Sequence, residues 1–260
     1  MSREKYPKLE FNRLKMYFGD DYIIDLPGLR GSITVHQPTI GDLAEIGEDR
    51  FFQMLSVFIN NTTTMRATLW SAGIDWNEIS DFDLFCITYR TIDPEVSKLI
   101  FGNIDWNKFE VCTYENESVT EIRLLDKEDD LEINQDVYQH IHQYLQSVFQ
   151  MYPEDELTDD KMLKKWWVDK DIREAKRKAE SKDDAKKSSL QAMISSYINH
   201  PGTNYKLREL KEVGVCEFYD SIARLRIYEN STATLKGMFS GFVDGSKIKP
   251  EDYDFMKPIS

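Results

Sequence analysis

The spacing of apolar residues changes several times along this chain, and each change predicts an element boundary. Ile33 and Val35 alternate with Ser32 and Thr34, the period of a half-buried strand. Pro38 then removes a ladder donor. Thr39-Ile40-Gly41-Asp42 follows, with the spacing of a helix cap: the Thr39 hydroxyl can accept from a free N–H while the Asp42 carboxylate reaches back to another. Leu43, Ile46, Met54 and Phe58 continue near helical spacing, which predicts one helix over 40–59. Upstream, 22–26 and 32–35 read as a hairpin around a Pro-Gly turn, after a short helix stopped by Gly19. The polar cluster 60–64 breaks the long helix and starts the next.

A small echo comes next. Ile74-Asp75-Trp76-Asn77 recurs as Ile104-Asp105-Trp106-Asn107, with a glycine shortly before each copy, Gly73 and Gly102. Both copies predict a helix stop followed by a tryptophan that returns the chain to the core, so Trp76 and Trp106 are expected structural anchors. Two copies of good turn chemistry do not make a repeat protein. Between them, Ser80 with Asp83, and Asp93 before Pro94, mark two helix starts. Segments 109–114 and 118–125 form a second predicted hairpin, 126–130 an acidic turn, and Asn134 caps a helix over 135–151. That helix has a 3.6-residue apolar face of Val137, Ile141, Tyr144, Leu145 and Val148.

Pro153-Glu154-Asp155-Glu156 marks the expected boundary between an acidic α+β domain, 1–152, and a charged helical domain, 153–260. Residues 157–185 read as a long helix laced by i,i+4 pairs: Asp169 with Arg173, Lys170 with Glu174, and Glu174 with Lys178. Ser188 and Ser189 start a helix over 190–199, His200-Pro201-Gly202 makes a turn, and helices follow around 217–226 and 233–239. The fold class is thus α+β and mostly helical: two short hairpins with several helices, then a helical lobe with a short tail. That tail gathers Phe239, Phe242, Ile248, Tyr253, Phe255 and Met256, candidates for partner binding if they do not dock on the chain itself. The reading favours docking on self.

Charge sharpens the division. Residues 1–152 hold 26 acidic and 13 basic side chains, while 153–260 hold 20 of each, so the whole formal charge of −13 belongs to the first part. Such a field repels nucleic acid and anionic membrane and favours basic partners, which makes the acidic part the expected main contact and the tail a second one. No apolar run approaches the ~20 residues that span a bilayer. Residues 1–7 hold no signal-type apolar stretch, and three scattered cysteines, Cys86, Cys112 and Cys216, fit a reducing compartment.

Reactive constellations are missing. The sequence lacks a phosphate-binding glycine loop, a dinucleotide fingerprint and a nucleophile elbow. His140 and His142 stand two apart on a predicted helix and so face different ways, which argues against zinc. The acids of 126–132 lack the pattern of a calcium loop. One stretch, 161–187, has 11 basic and 6 acidic residues around Trp166-Trp167, a composition able to bind strands by phosphate contacts and stacking, or simply to form a solvated helix with one tryptophan in the core. No catalytic residue, metal or cofactor is expected.

Three segments carry a family likeness: Gln37-Pro38-Thr39-Ile40-Gly41-Asp42 with Glu45-Ile46-Gly47-Glu48; Ile198-Asn199-His200-Pro201-Gly202 with Tyr205; and Met238-Phe239-Ser240-Gly241 through Asp244, Lys247-Ile248 and Tyr253-Asp254-Phe255-Met256. Together they resemble tail-module proteins of tailed bacteriophages, with tail assembly chaperones and baseplate-hub assembly proteins as the nearest functional relatives. The resemblance implies a non-enzymatic phage protein that binds another tail or baseplate subunit, in the host cytoplasm during assembly or in the virion. It leaves open an assembly factor or a permanent virion component such as a baseplate or tail-completion protein; the basic segment 161–187 adds a third reading from a different class, a nucleic-acid-associated phage protein. It brings no catalytic residues.

Overall fold

A computed structural model describes residues 6–26, 31–116, 119–180, 188–203 and 205–259. Helix α1 (Arg13–Tyr17) leads into an antiparallel pair, β1 (Tyr22–Asp25) and β2 (Ser32–Val35), with Tyr22 opposite Val35. Then come α2 (Ile40–Ile46), α3 (Glu48–Ile59), α4 (Arg66–Ser71), α5 (Asp81–Thr88) and α6 (Pro94–Phe101). A second antiparallel sheet has the order β3 (Glu110–Asn116), β4 (Val119–Asp126), β5 (Leu131–Ile133). The chain continues through α7 (Gln135–Phe149), α8 (Lys161–Glu180), α9 (Ser189–Ile198) and α10 (Val215–Phe239), then two single 3-10 turns. The fold is α+β and mostly helical, with two small antiparallel sheets among the described residues. No described helix is long and apolar enough to cross a membrane.

Caps set most of the starts. Thr39 Oγ1 accepts from Asp42 N at 3.1 Å and Asp42 Oδ2 accepts from Thr39 N at 2.8 Å, a reciprocal box. Ser80 and Asp83 repeat it at α5, and Asp93, with Pro94 in the first turn, starts α6. Each such cap contributes roughly 0.5–2 kcal/mol.

Four expectations need correction. The helix over 40–59 is two helices, because Gly47 adopts φ +96°, where only glycine is unstrained, and its N–H closes α2 on the carbonyl of Leu43. The acidic turn after β4 leads into a short third strand, β5, hidden by its length of three residues. The helix over 157–185 begins only at Lys161, where the Asp160 carboxylate accepts from Met162 N at 2.8 Å; residues 181–185 lie outside the described set. The two helices placed at 217–226 and 233–239 are one, α10, since Glu229-Asn230-Ser231-Thr232 contains neither Gly nor Pro and weak helix formers alone do not stop a helix.

One core runs across residue 153. Phe51, Phe58, Phe85, Ile141 and Phe149 from the first part share a buried cluster with Leu190, Tyr197, Val215, Phe218 and Ile222 from the second. The join lies at the Pro-Thr motif. Ile40 N donates to Val213 O at 2.9 Å, Val215 N donates to Pro38 O at 3.0 Å, and a Cβ on Gly41 would stand 2.7 Å from Lys211 O. Gly41 therefore serves close approach, which its position inside a cap sequence does not reveal.

The two histidines of α7 do face different ways. Nδ1 of His140 lies 2.5 Å from the Tyr22 hydroxyl, while His142 is buried with Nδ1 2.7 Å from Phe58 O. A carbonyl only accepts, so His142 donates from Nδ1, and its neutral Nε2 accepts from Gln146 Nε2 at 2.9 Å. Burial pushes the His142 imidazole below its ordinary value. The unfolded chain, with a His pKa of about 6.5, then binds a proton that the folded one refuses. Stability is full above that pH and falls as the pH drops through the interval down to the folded value. Melting curves at pH 7.5 and 5.5, values that bracket about 6.5, should show a smaller pH penalty in His142→Gln than in the parent. An equal penalty in both would contradict the assignment.

Candidate interaction surface

Helix α10 is amphipathic only in its first half. Val215, Cys216, Phe218 and Ile222 are buried in the core, after which the helix runs outward past half-exposed Tyr228 to Phe239. The chain reverses at Gly241 (φ +77°), where the N–H of Val243 donates to Gly237 O at 3.1 Å. A Cβ on Gly237 would stand 2.7 Å from Val243 Cγ2, so the returning tail lies directly on the helix. Farther back, Arg224 Nη1 donates to Phe255 O at 2.9 Å and to Lys257 O at 2.8 Å, and the Phe255 ring meets Tyr228 edge-on at 6.3 Å.

Between tail, α10 and the turn after α9 lies a groove of about 740 Å³ with Tyr17, Tyr197, His200, Arg224, Tyr228 and Phe255 in its walls. His200 Nε2 lies 2.8 Å from Glu229 Oε1. Burial raises the Asp220 carboxyl above its ordinary value. Beside the groove, donation to Glu217 pushes the Tyr205 hydroxyl up to about 12. Burial pushes the thiols of Cys216 and Cys86 up to about 11 and about 12, so both are protonated and unreactive at neutral pH. The walls are suited to burying apolar and aromatic side chains. Among the described residues no group of three His, Cys, Asp or Glu is placed to hold a metal ion.

Residues 180–260 match the family model described as YomV second domain, a phage-associated domain family. No curated protein and no solved structure matches the chain. The matched stretch takes in α9, α10, the groove wall apart from Tyr17, and the tail.

The six apolar tail residues divide within that stretch. Ile248 and Tyr253 are half-buried, whereas Phe239, Phe242, Phe255 and Met256 are exposed. Self-docking thus accounts for part of the tail only, and it works largely through backbone carbonyls held by Arg224. Thr39 and Asp42 are occupied with capping, and Trp76 and Trp106 are buried away from the surface. Sequence reading passed over Arg224 and Tyr228. Their i,i+4 spacing put them on one face of α10, but nothing local announced a tail returning to it.

Proposed function

We propose that this is a non-enzymatic phage assembly protein that binds another tail or baseplate subunit through the outer end of α10 and its returning tail. The observation that carries the reading is a pair of rings: Phe239 and Phe242, either side of Gly241, are 88% and 92% exposed. They lie inside the segment that resembles a phage-associated family. Burying a phenylalanine side chain is worth roughly 1.5–3 kcal/mol, a gain these two rings collect only on another surface. The protonated thiols and the structural engagement of His200, Arg224 and Tyr205 fit a binding role better than a catalytic one. Charge alone favours the acidic residues 1–152 as the main contact; the exposed rings favour the C-terminal end, with the acidic part as the second.

The test is a double substitution, Phe239→Ser with Phe242→Ser, in the full chain. Both rings are exposed, so stability should change by no more than about 0.5 kcal/mol. Affinity capture from infected cells should lose the tail or baseplate subunits that the parent retains. Undiminished capture would overturn the C-terminal site. Quantifying the protein in purified particles separates the two forms of the reading: fixed copy number marks a virion component, absence an assembly factor.

A further inference from the structure

Helix α8 is attached by one stripe and presents another. Lys164 pairs with Asp75, Val168 is buried, and Asp171 binds Arg66, so positions i, i+4 and i+7 face the protein. Half a turn away, at 100° per residue, stand Met162, Trp166 and Arg173. Trp166 is 53% exposed and Lys170 lies over its ring at 5.9 Å. Seven exposed cations on this helix outnumber three exposed carboxylates, so its free side is basic as well as aromatic. Not one of the three expected i,i+4 pairs closes into an ion pair, which leaves Lys170, Arg173 and Lys178 available.

On the other side of the charge divide, a groove of about 440 Å³ runs between β1 and the start of α7. Its apolar wall includes Tyr6, Pro7 and the exposed Ile23, and Asp25 and Asp136 stand at it as exposed carboxylates. We propose that this groove receives the free stripe of α8 from a second copy of the chain. Trp166 lies against Ile23 and Pro7, while Lys170 and Arg173 face Asp25 and Asp136. Charge complementarity selects this occupant: the groove belongs to the half with the full −13, and the basic stripe is in the half with zero balance. A nucleic acid would meet the same stripe but also the field of the acidic half. Because the two patches differ, the contact is head-to-tail and builds a ring or a filament rather than a two-fold dimer. The inference is independent of the reading of the α10 end.

The experiment uses two full-length variants. One alters the helix, Trp166→Ala with Arg173→Ala; the other alters the groove, Asp25→Lys with Asp136→Lys. All four side chains are exposed, and circular dichroism confirms that each variant folds. In sedimentation at low ionic strength the parent should form species larger than a monomer that dissociate as salt is added. Each variant alone should be monomeric. An equimolar mixture should give a capped dimer, twice the monomer mass, because one copy brings an intact groove and the other an intact helix. A monomeric parent, or a mixture that stays monomeric, overturns the proposal. So does association that persists in high salt and in both variants, which assigns it to the rings of α10. Salt-dependent retention of the parent on DNA, lost in the helix variant without any self-association, reassigns the stripe to nucleic acid.

Discussion

Trp106→Ala lowers the unfolding free energy by about 3–5 kcal/mol, the range for emptying a large aromatic site in a core. Urea titration followed by circular dichroism measures it. Trp106 is buried, with ring centroids 5.0 Å from Phe101, 5.1 Å from Phe58, 5.6 Å from Phe109 and 6.0 Å from Phe85. These partners come from four different segments, so no local shift can close the void. A second substitution separates shape from polarity. The Trp106 indole N–H is buried without a hydrogen-bond partner, whereas the Trp76 indole donates to Glu156 O at 3.2 Å. Phenylalanine at 106 keeps a ring and sheds an unpaired donor; at 76 it also gives up a hydrogen bond worth about 0.5–1.5 kcal/mol. Trp76→Phe should therefore cost more than Trp106→Phe, although Trp106 has the larger cluster around it. A loss below about 1 kcal/mol for Trp106→Ala would deny it the anchoring role.

What the sequence made legible is local chemistry. In both copies of Ile-Asp-Trp-Asn the aspartate accepts from the asparagine N–H two residues on, at 3.0 Å, after a glycine of positive φ, Gly73 or Gly102. The turn is the same and the surroundings are not: Asp75 pairs with Lys164, while Asp105 is exposed. Caps at Thr39, Ser80, Asp93, Asn134 and Ser188 were readable for the same reason, since donor and acceptor lie within three residues. The candidate surface was half legible. Its apolar residues stood out by composition, but which of them reach solvent depends on a tail folded back by Arg224, a contact 31 residues long. The charge pattern of α8 announces a solvated helix, which the structure has, but not the stripe that attaches it. Acids and bases at i,i+4 spacing suggested a self-contained solvated helix, yet its ion pairs go to Asp75 and Arg66, 89 and 105 residues away. Exposed i,i+4 pairs gain too little to hold two long side chains in one geometry, whereas Lys164 and Asp171 are fixed by partly buried partners.

Arg66 shows how much rests on one such residue. Its buried side chain donates from Nε to Asp171 Oδ2 at 2.5 Å, from Nη2 to Asp171 Oδ1 at 2.9 Å and from Nη1 to Glu156 Oε2 at 2.6 Å. The guanidinium also lies 5.3 Å from the Trp167 ring centre. It thereby fixes α8 and the segment leading into it against α4. Removing one partner of a buried ion pair costs about 3–5 kcal/mol. Asp171 and Glu156 keep 28% and 41% side-chain exposure and are partly rehydrated when the arginine goes, so Arg66→Ala should fall at the low end, about 3 kcal/mol. Arg66→Lys should recover little, because an ammonium cannot hold both oxygens of Asp171 in a fork, reach Glu156 and stack on an indole at once. The loss should also be localised. Hydrogen exchange should show the amides of α8 losing protection while those of α3 and α7 keep theirs, since what remains to hold α8 is Val168, the partly buried Trp167 and the pair of Lys164 with Asp75. Unchanged protection in α8, with a cost under about 1 kcal/mol, would mean that the helix is held by its apolar contacts and that the buried guanidinium is dispensable.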